Sequence, residues 1–290
     1  MERYHDATPD EGAEARLSAI LFGLLAALAN AAQALISKEL TARAPARQLI
    51  GVLYAGNALV LLPFAPFVVW TWSPMIVALH LVSVALMVGT AICVWDLLDH
   101  GTASAMTTAT AMSPIPAVLA AALVLPGVIQ PLHVVAAAIV VGGVLFALAD
   151  AFGGLGRWGS AWRIVGAATG TGLLTVVSRL LGDLEVGLVE TYVVRTALAA
   201  VVCITLFPPR NVDRADVPRL LGRSIVVTTY FVFVILGAQT GSPVVVQTLV
   251  ATTPLFVLVV ESIRRRSLPE ARALVAAVIV LVGVMLILVP

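Results

Sequence analysis

Along the 290 residues, long apolar runs alternate with short breaks of charge, proline or glycine. The runs fall at Leu17 to Ile36, Leu49 to Val69, Ile76 to Leu97, Ala103 to Leu125 and Leu132 to Ala149. After a break from Asp150 to Arg163 they resume at Ile164 to Leu181, Val186 to Phe207, Leu220 to Ala238, Pro243 to Ile263 and Ala271 to Val289. None shows the polar/apolar alternation of a membrane barrel strand, and each comes near the roughly 20 residues that carry a helix across a bilayer. In hydrocarbon every backbone amide must be bonded within the chain, so helices are the consistent reading. The pattern predicts an all-α integral membrane protein of ten transmembrane helices.

The runs form two similar sets of five. VVAAAIVVGGVLFAL from Val134 to Leu148 matches LVAAVIVLVGVMLIL from Leu274 to Leu288, a shift of 140 positions that also aligns Pro114 with Pro254, Thr108 with Thr248 and Gly143 with Gly283. Earlier in each half, Ser37-Lys38 corresponds to Ser178-Arg179 and Asn57-Ala58-Leu59 to Thr196-Ala197-Leu198. An odd number of spans makes the second copy start from the side opposite to the first, so the repeats are expected to be inverted. The expected organisation is a polar tail at 1–16, a first five-helix repeat at 17–149, a linker at 150–163 and a second repeat at 164–290. Such a pair offers two nearly equivalent conformations, one open to each side, with a site near the midplane.

Composition agrees with this reading. The chain is 60% hydrophobic and only 11% charged, against about 25% charged in soluble domains. Ten spans leave room for short loops and none for a separate soluble domain. A net charge of +1, spread over several loops, carries no nucleic-acid signal. Cys93 and Cys203 both fall in apolar runs and read as free thiols. The tail from Met1 to Arg16 is acid-rich and lacks the basic start of a cleaved signal peptide, so the first run is expected to stay as a helix. His5, His80, His100 and His133 share no metal-ligand spacing, and Gly153-Gly154-Leu155-Gly156 lacks the lysine of a phosphate loop. Neither a metal, a cofactor nor catalysis is expected.

At this point the chain resembles the drug/metabolite transporter superfamily, and within it the EamA-type proteins of five plus five helices. The resemblance covers roughly Ala15 to Val289. It rests on a fourth-helix proline followed by a glycine-containing fifth helix: Ser113-Pro114 with Gly142-Gly143, and again Thr253-Pro254 with Gly283. The small-residue stretches Gly101-Thr102-Ala103-Ser104 and Gly241-Ser242-Pro243 also look like the family's lead into helices four and nine. Family proteins often carry a Gly-Glu pair after those helices, whereas here the places read Pro126-Gly127 and Arg265-Arg266. The resemblance implies that helices one to four and six to nine surround a central cavity, with five and ten peripheral.

The candidate substrate-binding residues are the polar or aromatic groups stranded in the spans. Arg195, about ten residues into the seventh run, is costly in hydrocarbon and needs a partner or water. It could recognise a carboxylate or phosphate, or it could clamp backbone carbonyls or Glu190. Related proteins often have an arginine at the comparable place in the second helix of a repeat, while its counterpart here is Gly56. Asn30 and Gln33 in the first run, Tyr54 and Asn57 in the second, Trp95 in the third and Tyr230 in the eighth complete the central set. Thr107 in run four, with Gln247 and Thr248 in run nine, lies on the helices that Pro114 and Pro254 should break. For ion coupling the candidate carboxylates are Asp96, Glu190 and Glu261, each of which also has a plain pairing or snorkelling role. The expected partners are a small-molecule substrate and membrane lipid, around a monomer or homodimer.

Orientation depends on charge. Thirteen basic residues, among them Lys38, Arg47, Arg163, Arg219 and Arg223, fall on one side and three, Arg3, Arg16 and Arg179, on the other. The bias predicts that the first side is cytoplasmic and both termini external, although the resemblance implies the reverse. The expected function is a secondary transporter for a small polar metabolite such as an amino acid, working as an exporter in a bacterial cytoplasmic membrane. The alternatives are a multidrug carrier for lipophilic compounds and a non-transporting scaffold.

Overall fold

The computed structural model describes residues 9–41, 45–100, 103–125, 130–147, 158–210, 212–266 and 271–288. Among the described residues, 89% are helical and there is no strand. The first half comprises α1 (Pro9–Thr41), α2 (Ala46–Leu61), α3 (Pro74–His100), α4 (Ala103–Ala111), α5 (Pro114–Val124) and α6 (Pro131–Ala147). The second comprises α7 (Trp158–Asp183), α8 (Leu188–Leu206), α9 (Val217–Thr240), α10 (Pro243–Val250), α11 (Thr253–Arg265) and α12 (Ala271–Leu288).

Each apolar run carries helix, but not all of them alike. Among the described residues, seven helical stretches are long and apolar enough to cross a membrane, the longest, Pro74–Asp99, rising about 39 Å. Three shorter apolar stretches, Ala109–Val124, Pro131–Phe146 and Leu274–Leu286, accompany them. The fourth and ninth runs are each divided in two: Met112 and Ser113 turn before Pro114, and Ala251 and Thr252 turn before Pro254. A proline brings no amide donor and its ring clashes with the turn before it, which is why each break sits there. The second run loses α-helical form at Leu62, where Pro63 and Pro66 tighten it into a 3-10 turn through Phe67. Two boundaries shift from the sequence reading: α1 starts at Pro9, inside the stretch read as tail, and α7 starts at Trp158, inside the stretch read as linker.

Many large apolar side chains face outward, including Leu119, Leu123, Val165, Val201 and Leu281. Asn30, Ser37, Asn57, Arg195, Thr228 and Gln247 are buried. A water-soluble protein would reverse that arrangement, whereas lipid solvates the first set and forces the second inward.

The helices pair across the halves. α1 packs on α9, α3 on α7, α2 on α8, and α6 on α12. Exchanging every helix for its counterpart in the other half turns the α1–α9 pair into the α7–α3 pair and leaves the other two pairs unchanged. Polar contacts gather at two opposite ends of the bundle. At one, the arginine-rich end, Lys38 Nζ donates to the Leu98 carbonyl at 3.0 Å, and Arg47 and Arg163 reach Asp96 at 2.9 and 3.5 Å. At the other, the Thr71 amide donates to Glu190, Gln239 Nε2 to the Val186 carbonyl, and Arg179 to the carbonyls of Gln239 and Gly241. α1 therefore finishes at the arginine-rich end while α7 begins there, so the two run in opposite senses.

Candidate functional site

A cavity of about 90 Å³ lies between the halves, lined by one face of each of several helices. Its wall takes Asn30 and Gln33 from α1, Tyr54 and Asn57 from α2, Met87, Thr90 and Trp95 from α3, and Thr110 from α4. From the second half come Thr171, Thr175 and Ser178 of α7, Arg195 of α8, Arg223, Val227, Tyr230 and Val234 of α9, and Gln247 of α10. The spacing of these residues is helical on each element, which is how one face of each helix comes to line one cavity.

Arg195 is 1% exposed, and one terminal nitrogen donates to both Ser178 Oγ at 3.0 Å and Ser83 Oγ at 3.2 Å. Its Nε has no partner, and among the described residues no carboxylate pairs with it. Glu190, one alternative partner, is turned away to the Thr71 amide at 3.1 and 3.3 Å, since five residues on a helix do not share a face. A buried guanidinium costs about 2.5 to 3.5 kcal/mol on insertion scales, and two neutral hydroxyls compensate only part of that. The group is positioned but not neutralised.

Arg223 repeats this on the facing wall. It is 7% exposed, its Nε donates to Ser37 Oγ at 2.7 Å, and its guanidinium lies over the Trp95 ring 5.0 Å from the centroid. Ser37 and Ser178 are the equivalent positions of the two halves, so the first helix of each half positions one arginine. The sequence reading grouped Arg223 with the loop charges that begin at Arg210. The signal it overlooked is the spacing Arg223, Val227, Tyr230 and Val234, which puts the arginine on the face of the selected Tyr230.

The amide groups form the middle of the site. Gln33 donates to Asn30 Oδ1, and Asn30 Nδ2 donates to Thr253 Oγ1 at 3.1 Å, at the break before α11. Gln247 accepts from Ser113 Oγ at 2.6 Å, at the break before α5, and donates to Thr175 Oγ1. Both helix breaks thus tie into the cavity wall. Tyr54 donates to the Met87 carbonyl at 3.1 Å, and Asn57 Oδ1 is buried with no partner.

Eight of the ten residues expected to meet substrate lie on this wall, and Thr107 and Thr248 do not. Thr248 turns back to its own helix, donating to the Val244 carbonyl at 2.7 Å, and Thr107 is fully buried off the cavity. Asp96 is held by Arg47 and Arg163 and lies outside the wall, as does Glu190. The Glu261 side chain lies outside the described residues. Trp95 is buried beneath Arg223, where an interfacial belt residue would face lipid. The groups the sequence reading did not select, besides Arg223, are the hydroxyl stripe Thr171, Thr175 and Ser178, which bond back to their own helix while facing the cavity.

No curated protein matches the chain. One solved crystal structure of a protein aligns with a TM-score of 0.74 over 93% of this chain and 96% of its own, at 18% sequence identity. At that identity the likeness concerns the fold. The model of the EamA-like transporter family matches residues 158–289, which span α7 to α12. The second half of this chain, with the arginine-bearing α8 and α9, is thus similar to the EamA-like transporter family of the drug/metabolite transporter superfamily.

Proposed function

We propose that the chain is a secondary transporter with alternating access, built from two inverted five-helix repeats in a bacterial cytoplasmic membrane. It moves a small polar metabolite with an anionic group, such as an amino acid or a related acid, out of the cell. The observation that carries this reading is a cavity between the halves, walled by amides, hydroxyls and Arg195, in a chain whose second half matches the model of the EamA-like transporter family. The opposed directions of α1 and α7, and the helix pairs that exchange into one another, support the inversion. Sixteen arginines against the single lysine, Lys38, suit a GC-rich bacterial genome.

The cavity also has apolar and aromatic surface, which a carrier of lipophilic cations would use. Such cargo wants a carboxylate in the wall, and among the described lining residues there are two guanidinium groups instead. The test is purified protein in liposomes with a panel of labelled amino acids, organic acids and lipophilic cations. Uptake or exchange of an anionic or zwitterionic member is expected. Transport of cations alone would reverse the substrate class, and no transport of any member would defeat the carrier reading.

A further inference from the structure

The two cationic groups of the cavity sit toward opposite ends of it. Arg195 is held by Ser178 and Ser83, near where α7 finishes and α3 begins. Arg223 is held by Ser37 and lies over Trp95, near where α1 and α3 finish. Ser83 and Trp95, the α3 residues beside the two guanidinium groups, stand about three turns apart along that helix, so the two cations are held at different levels of the cavity. The wall offers little to an ammonium group: no lining residue described is a carboxylate, and the face of Trp95 is already covered by Arg223.

Resting on the transporter reading above, we propose that the substrate is an elongated dicarboxylate that spans the cavity, one carboxylate on Arg195 and the other on Arg223. A planar guanidinium forks onto a carboxylate through two parallel N–H donors, which fixes direction as well as charge. The substrate's carbon chain lies against Tyr54, Met87 and Tyr230. Asn57 Oδ1, buried and unpartnered, accepts from a hydroxyl or N–H on that chain. Two charges of opposite sign to the site also explain how a cavity can carry two uncompensated cations: the substrate neutralises both.

The experiment uses the full chain in detergent, titrated with malonate, succinate, glutarate, adipate and pimelate, with the monoamide of each, and with inorganic phosphate. Ligand stabilisation is read as a concentration-dependent rise in melting temperature. One diacid of the series is expected to bind at least about tenfold more tightly than its monoamide. R223Q and R195Q are each expected to erase that difference, and R223K to retain part of it, with the ligand-free melting temperature reporting whether each variant is folded. Equal affinity for diacid and monoamide, preference for inorganic phosphate over every diacid, or an unchanged diacid preference in R223Q would each overturn the assignment. Those outcomes leave the carrier reading intact, because it stands or falls on uptake of the wider panel by liposomes.

Discussion

The outer seam between α6 and α12 and the inner wall of the cavity treat the sequence correspondence between the two halves in opposite ways. In the seam the corresponding residues meet each other in the same manner. A side chain added at Gly143 would come within 2.9 Å of Val280 Cγ2, and one added at Gly283 within 2.7 Å of Val140 Cγ2, so each glycine receives the valine paired with its partner. In the cavity wall the corresponding residues differ. Arg195 faces the cavity, while its counterpart Gly56 is pressed against the Ser224 side chain with no space for anything larger. Ser37 and Ser178 remain equivalent, but each holds an arginine contributed by the second half. A contact surface between two copies is satisfied by mirrored residues, whereas a site for one asymmetric molecule is not, and the charge has accumulated in one half.

That contrast can be broken at several points. The largest effect belongs to Arg195→Ala, which is expected to lower liposome uptake of an anionic or zwitterionic substrate at least about 100-fold, or about 2.7 kcal/mol. Unaltered kinetics in a folded variant would remove Arg195 from the site. Next come the seam glycines. Gly283→Ala is expected to destabilise by about 1 to 3 kcal/mol through overfilling. Its added carbon would lie 3.1 Å from the Ala136 carbonyl, which is fixed main chain. Gly143→Ala meets only side chains, so its loss should be smaller and should be relieved by Val280→Ala in a thermal melt. No difference between the two glycine variants would show that the seam yields on both sides. The smallest effect is that of Thr248→Val, which removes a hydroxyl bonded to its own helix. Uptake is expected to stay within about twofold and stability within about 0.5 kcal/mol; a large loss of uptake would place Thr248 in the site.

The sequence was most informative where polarity and periodicity coincide. Asn30, Gln33, Asn57 and Gln247 stood out because an amide in an apolar run has few reasons to be there, and all four reach the cavity. Pro114 and Pro254 located the helix breaks because the missing donor is a local property of the chain. Arg223 was misplaced because charges near a helix start look alike in one dimension, whether they turn to water or inward. Thr107 and Thr248 lie off the cavity for a related reason: a hydroxyl can satisfy itself on its own backbone, and nothing in the sequence says which way it turns. Asp96 looked available to carry protons until Arg47 and Arg163, distant in sequence, were found on either side of it. The Arg195 partner could not be foreseen either, since Ser83 and Ser178 come from two other helices.

The interruptions before Pro114 and Pro254 have a mechanical consequence. Along an unbroken helix, bending in mid-membrane strips an amide from its carbonyl and leaves both bare in oil, at a cost of several kcal/mol. At these two places the main chain keeps only tight turn bonds, such as Ser113 N to the Thr110 carbonyl and Thr252 N to the Leu249 carbonyl, and the hydroxyls of Ser113 and Thr253 reach Gln247 and Asn30 on neighbouring rods. A hydroxyl that rotates from one acceptor to the next keeps its bond count throughout. These are the joints at which the scaffold can flex inside a lipid film without baring a polar atom.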